Sequence, residues 1–207
     1  SINFGLETVK RPLIVGADGL FDQGLSNYTY YYSQTDNIVT GSLTVDGTTE
    51  TVTGSAWIDR QYGDFNPFTG EDYEWFSIQL DNGTDLNLWN IFTNSRTIPN
   101  DPKYKILSAY VDENQNTQYT ISDFEVERLE YFTTPDDVNT YSKKWRLTSA
   151  SKNIDLVITS NFETSEVNIT ELSFRFYEGA TTVSGTIGGV SVTGVGFAEL
   201  LHKYENP

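Results

Sequence analysis

The densest run of reactive side chains in the 207-residue chain is Gly54-Ser55-Ala56-Trp57-Ile58-Asp59-Arg60-Gln61-Tyr62-Gly63-Asp64. Read as a strand, whose side chains alternate between faces, it puts Trp57, Asp59 and Gln61 on one side and Ile58, Arg60 and Tyr62 on the other. An arginine between an isoleucine and a tyrosine either points inward against a carboxylate or lies outward on an exposed face. Inward it needs an acid, because an unpaired buried guanidinium is costly. Glu178 and Glu199, each near the end of a strand rich in apolar residues, are the candidate partners. A buried acid beside Tyr62 would have its pKa raised by desolvation and would suit general-acid chemistry on a polyene or an enone. A structural Arg–Glu bridge that closes a barrel accounts for the same residues.

Other chemistries are excluded by residue type. With no cysteine there is no disulfide framework, thiol nucleophile or Cys-based zinc or iron–sulfur site. The single histidine, His202, sits close to the acidic end of the chain and cannot supply a His-rich metal site. No phosphate-cradling glycine loop, nucleophile elbow or helical His pair occurs. The expectation is a site with neither cofactor nor metal. Thirteen bases against 29 acids give a formal charge of −16, which opposes nucleic-acid binding and anionic membrane surfaces. No stretch approaches the roughly 20 apolar residues of a membrane-spanning helix. The acidic loop 63–72 reads as a solvated lid over a barrel mouth in preference to a calcium loop, since it lacks EF-hand spacing.

The elements that must position these residues are strands. From Asn27 onward, short β-branched and aromatic runs alternate with turn dipeptides, the pattern of an antiparallel barrel or sandwich. Strands are expected over 28–33, 38–45, 49–53, 55–62, 73–80, 86–93, 104–111, 117–121, 124–132, 141–148, 154–159, 171–178, 182–187 and 190–201. Asp46-Gly47, Asn82-Gly83 and Gly188-Gly189 supply the positive φ that tight hairpins demand. No segment shows a helical apolar period. Residues 1–23 read as an irregular arm, with only Leu13-Ile14-Val15 as a short strand, ahead of one β domain over 24–207. Asn90 shares a face with Leu86, Leu88 and Phe92, and Tyr28, Tyr30 and Tyr32 share another. These patterns fit a barrel that is lined rather than filled, with Tyr30, Trp57, Trp75, Trp89, Asn90, Trp145 and Tyr177 as ligand-binding candidates. An ordinary sandwich with satisfied polar groups fits the alternation as well.

Four ordered motifs carry a resemblance. The 54–63 string resembles the Gly-x-Ala-Trp-x-Asp-His-Glu-Trp signature of the carotenoid 1,2-hydratase/AttH-like family. Trp75-Phe76-Ser77-Ile78-Gln79-Leu80-Asp81-Asn82-Gly83, Phe176-Tyr177-Glu178-Gly179 and Gly194-Val195-Gly196-Phe197-Ala198-Glu199-Leu200 are similar to its later motifs. The resemblance implies an all-β, antiparallel, lipocalin-like (calycin) barrel enclosing a hydrophobic small molecule. Family relatives include kievitone hydratase and lipocalin-like Diels–Alderases, and are usually longer, with a second lipocalin-like domain ahead of this one. Residues 1–23 would then be a remnant or replacement of that partner.

Where hydratase members carry a His and then a Trp, this chain has Arg60 and Tyr62, which speaks against carotenoid hydration. Any chemistry would rest on Arg60, Tyr62, Glu178 and Glu199, with Asn90 near the place of a catalytic Asp. The expected function is binding of a polyene, terpenoid or polyketide-like molecule and its cofactor-free hydration, isomerisation or cyclisation. A non-catalytic carrier, or an extracellular carbohydrate-binding β domain, are the alternatives. Expected partners are a hydrophobic ligand and either a second lipocalin-like domain or another copy of the chain, in an extracellular or cell-envelope setting.

Overall fold

The structure is a computed structural model that describes residues 1–25, 27–64, 66, 69–112 and 117–205. Its strands are β1 (Ile2–Thr8), β2 (Leu13–Ile14), β3 (Leu20–Gln23), β4 (Asn27–Val45), β5 (Thr48–Asp64), β6 (Asp72–Leu80), β7 (Asp85–Phe92), β8 (Lys105–Asp112), β9 (Thr117–Ile121), β10 (Glu125–Thr133), β11 (Thr140–Ser149), β12 (Ile154–Ser160), β13 (Glu166–Ile169), β14 (Phe174–Ile187) and β15 (Val190–Leu200). Among the described residues the only helical element is one 3-10 turn, Thr170–Leu172.

The expected strands fuse into longer ones. Segments 28–33 and 38–45 join across an irregularity between Gln34 and Asn37 to make β4, and 49–53 and 55–62 join to make β5. The two are linked by Asp46 and Gly47 at φ 49° and 80°, the two positive-φ positions that a right-twisted hairpin requires. Residues 1–23 are strand-rich where an irregular arm was expected. β1 pairs with the C-terminal half of β4, from Ile2 opposite Leu43 to Thr8 opposite Asn37, and β2 and β3 pair with its N-terminal half. β1 is exposed along its whole length. Its sequence does alternate, Ile2, Phe4 and Leu6 against Asn3, Gly5 and Glu7, but neither face is buried, and backbone pairing with β4 makes it a strand.

Two antiparallel sheets result. The smaller has β4 at its centre, with β5 on one side and β1, β2 and β3 on the other. The larger runs β10-β11-β12-β14-β15-β6-β7-β8-β9, with β13 added beside β14. Its end strands β9 and β10 do not pair with each other, so it curls into an open half-barrel. The all-β, antiparallel, lipocalin-like fold class read from the sequence is the one observed.

The concave face of the half-barrel is filled, not lined. Phe76, Leu88, Leu107, Trp145, Leu147 and Leu156 are among the buried side chains that pack there into one core. Trp145 Nε1 donates there to Ser142 Oγ at 2.7 Å and the Tyr141 hydroxyl to Glu166 at 2.9 Å, while Asn90, the polar residue that suggested a lined interior, is buried with its Nδ2 unpartnered. At one end Glu74, fully buried, accepts from Arg128 Nε at 3.1 Å, Ser142 Oγ at 3.1 Å and the Tyr204 hydroxyl at 2.7 Å. A buried arginine–carboxylate bridge therefore exists, made by Arg128 and Glu74.

Two family motifs have backbone reasons. A Cβ on Gly179 would fall 2.1 Å from the Tyr177 hydroxyl oxygen, because that ring lies along β14 over the glycine. A Cβ on Gly196 would fall 2.3 Å from the Ser77 carbonyl, where β15 meets β6. The small sheet packs on the opposite, convex face of the half-barrel through a second core of Val15, Phe21 and Tyr31 against Trp75, Trp89, Ile91, Tyr104 and Ile106.

Candidate functional site

Between the two sheets lies a polar network with apolar walls. Alternation along β4 points Tyr31 and Ser33 at the half-barrel, and alternation along β5 does the same for Trp57 and Asp59. Asn87 on β7 meets them: its Nδ2 donates to the Tyr31 hydroxyl and to Ser33 Oγ, both at 3.1 Å, and its Oδ1 accepts from Trp75 Nε1 at 3.2 Å. Ser33 Oγ then donates to Asp59 Oδ1 at 2.6 Å and Trp57 Nε1 to the same oxygen at 2.9 Å. Burial pushes the Asp59 carboxyl above its ordinary value, and the bonds from Ser33, Trp57 and Tyr31 only partly offset it.

A second carboxyl stands nearby. Glu199 on β15 faces the same way as Trp75 across the β15–β6 pairing and as Glu178 across the β14–β15 pairing. It accepts a hydrogen bond from the Tyr73 hydroxyl. Burial raises the Glu199 carboxyl, the charges of Glu178 and Asp59 raise it further, and the Tyr73 bond opposes them. Tyr73 is itself pushed well above the usual phenol range, first by burial and then by the Glu199 charge, so it stays a neutral donor.

Tyr73 also forms part of the wall of a cavity of about 300 Å³. Trp89, Ile91, Phe174 and Leu201 make its apolar side, and Gln23, Asn27, Gln61, Glu71 and Asp72 line its polar parts. Trp89 is the hub of an aromatic cluster, with ring centroids 5.2 Å from Tyr73, 6.0 Å from Phe21, 6.2 Å from Tyr31 and 6.3 Å from Trp75. Its Nε1 is buried without a hydrogen-bond partner. Residues 65, 67 and 68 of the acidic loop lie outside the described residues, while Thr69, Glu71 and Asp72 border the cavity.

The residues singled out from the sequence fall into three places. Glu199, Glu178, Trp57, Trp75 and Trp89 lie on the inter-sheet side. Asn90, Trp145 and Tyr177 belong to the concave side, where Trp145 and Tyr177 are core and Asn90 is buried with its Nδ2 unpartnered. Tyr30, Arg60 and Tyr62 lie on the outer face of the small sheet; Arg60 is exposed opposite Tyr32, and Tyr30 and Tyr62 stack at 5.3 Å with 44% and 64% of their surface exposed. The structure does not bring Arg60 or Tyr62 to Glu178 or Glu199. It adds Tyr31, Ser33, Asp59, Tyr73 and Asn87. For Asp59 the signal was present, since Trp57, Asp59 and Gln61 share a face; for Tyr73 and Asn87, single residues in apolar strands, there was none.

An open, all-β half-barrel carrying a second sheet on its back defines a lipocalin-like domain by architecture. The AttH-like family profile matches residues 1–204. The chain belongs to the AttH-like family. Among solved structures it is similar to an AttH protein of Nitrosomonas europaea, with a TM-score of 0.82 and 21% identity over 97% of this chain and 61% of that one. It is also similar to kievitone hydratase from Nectria haematococca, with a TM-score of 0.80 and 20% identity over 96% of this chain and 60% of that one. The chain thus spans about three-fifths of the length of both. No curated protein matches it.

Proposed function

We propose that the domain binds an apolar small molecule in the inter-sheet cavity and adds or shifts a proton on its carbon–carbon double bond without a cofactor, as in hydration, isomerisation or cyclisation. The observation that carries this reading is the Tyr73–Glu199 pair: Tyr73 lines the cavity, and behind it stands a carboxyl that burial biases toward its protonated form. A neutral acid held at the edge of an apolar site is the arrangement general-acid catalysis requires. In a hydration, a protonated Glu199 donates to the Tyr73 oxygen, the reverse of the bond its carboxylate accepts, which turns the Tyr73 proton toward the cavity; that proton passes to the alkene carbon as the Tyr73 oxygen takes the one from Glu199. Water adds to the resulting cation, and its released proton returns to a carboxylate, so no net proton is consumed. The similarity to a structure named as a hydratase supports the same chemistry.

The test is incubation with lipophilic metabolites in D₂O. Native mass spectrometry should show a retained ligand, and the product should carry deuterium at carbon. Glu199→Gln should keep the ligand and lose at least about a hundredfold in rate, the usual scale of one general acid. Retention with no turnover in the wild type would replace catalysis by the carrier function; no retention at all would remove both.

A further inference from the structure

Resting on the cavity-binding reading, we propose that the ligand is an uncharged amphiphile, with a hydroxyl group held by the carboxamides of Gln23, Asn27 and Gln61 and a hydrocarbon body laid against the half-barrel. These three side chains share the inner face of the small sheet. Asn27, Thr29 and Tyr31 alternate onto one side of β4 with no irregularity between them, so Asn27 points as Tyr31 does, toward the half-barrel. Gln23 is the register partner of Asn27, and Gln61 that of Tyr31; cross-strand partners share a face. All three line the cavity of about 300 Å³.

Across that cavity stand Tyr73, Trp89, Ile91 and Leu201. Tyr73 on β6 is the register partner of Ile91 on β7, and both pack with Trp89 on the convex face of the half-barrel. This wall is apolar apart from the Tyr73 hydroxyl, which is bonded to Glu199. The site thus has one hydrogen-bonding wall and one apolar wall. Its volume, at the lower end for small-molecule sites, favours a body of about ten carbons over a long polyene.

The amide wall offers groups of both kinds. Gln61 Nε2 donates to Gln23 Oε1 at 3.3 Å, which leaves the Gln23 Nε2 donor and the Gln61 Oε1 acceptor on either side of that bond. Asn27 Oδ1 accepts from the Asn66 backbone N–H at 2.7 Å, which leaves Asn27 Nδ2 as a donor. A hydroxyl donates and accepts and so answers this set, whereas a carbonyl or ether oxygen answers only the donors.

Charge selects the neutral form. Among the described residues that line the cavity there is no lysine or arginine, while Glu71 and Asp72 are both present, in a chain of formal charge −16. A carboxylate or phosphate ligand would meet like charge with no cation to answer it. An ammonium group would suit the acids but has no lone pair for the Gln23 and Asn27 donors.

Isothermal titration calorimetry with probes of one carbon skeleton tests this: geraniol, the same hydrocarbon without the hydroxyl, geranate and geranylamine, each below its solubility limit. Geraniol should bind about tenfold more tightly than the hydrocarbon, the equivalent of one donated and one accepted hydrogen bond, and more tightly than either charged probe. In the double variant Gln23→Leu with Gln61→Leu, geraniol should lose most of that advantage while the hydrocarbon binds at least as well. In the wild type, the side-chain amide resonances of Gln23 and Asn27 should move downfield with geraniol and not with the hydrocarbon, a readout that does not need the variant to fold. Equal binding of geraniol and the hydrocarbon, or a preference that survives the double variant, overturns the carboxamide assignment and leaves the cavity reading standing. Tightest binding by geranate or geranylamine overturns neutrality, and no binding by any probe overturns both readings.

Discussion

Asp59 and Glu199 reach one region from different sheets, and their shared property is that burial works against their charge. Each is restrained by donors, so removing a donor has a definite sign. Tyr73→Phe deletes the hydroxyl that favours ionised Glu199, and the Glu199 carboxyl should then titrate at higher pH than in the wild type. Carbon-13 NMR of the side-chain carboxyls checks this, and a fall or no change would show that the Tyr73 bond does not favour the charged form. Ser33→Ala removes one of the donors to Asp59 and the acceptor for one Asn87 proton; it should raise the Asp59 pKa and destabilise the fold by about 1–3 kcal/mol. At this scale the sequence was half-readable. Glu199 is legible as an acid in an apolar strand. Whether Arg60 and Tyr62 or Trp57 and Asp59 meet the half-barrel depends on which face of β5 looks inward. An edge strand exposed at most of its positions cannot declare that from alternation alone.

At the level of elements, the half-barrel depends on one ionic cluster that no sequence motif announced. Glu74 is fully buried on β6 and Arg128 reaches it from β10, at the far end of the sheet order. Burial by itself would raise Glu74, but the Arg128 guanidinium, with Tyr204, outweighs it and holds the carboxyl below its ordinary value. Arg128→Leu would leave that charge without its main partner and should cost about 3–5 kcal/mol in urea unfolding. The double variant Arg128→Leu with Glu74→Leu should recover part of the loss; a single variant as stable as the wild type would show the cluster to be dispensable. The strand pattern, the hairpin turns at Asp46-Gly47 and Gly188-Gly189 and the absence of long helix were legible because period-2 hydrophobicity and positive φ leave local marks. The pairing of Arg128 with Glu74, 54 residues apart in sequence, is set by tertiary contacts and leaves none; the alternation of Ile2, Phe4 and Leu6 in β1 is a mark that an irregular-arm reading passes over.

For the whole molecule, charge and burial together fix how stability responds to pH. Asp59, Asp85 and Glu199 have raised pKa values, each chiefly through burial. A raised carboxyl binds its proton more tightly folded than unfolded, so its contribution falls as pH rises from about 4, the unfolded value. Glu74 is lowered, and Asp136 is held down at about 2, first by its hydrogen bond from Arg175; the stability these provide is present above about pH 4 and lost as pH falls through their folded values. The formal charge of −16 adds self-repulsion that grows as the raised acids ionise. These contributions place the stability maximum just above about pH 4, with a loss below it and, on the alkaline side, a decline confined to the span over which the raised carboxyls ionise. Urea midpoints measured across that range should show this shape, and about 0.5 M NaCl should flatten the alkaline decline by screening exposed charge. Asp59→Asn with Glu199→Gln should flatten it further without moving the acid limb, because Glu74 and Asp136 are untouched. A wild-type midpoint with no decline on the alkaline side of its maximum would mean that the inter-sheet acids are already charged in the folded protein at the unfolded pKa, and the neutral acid on which the proposed proton transfer depends would not exist.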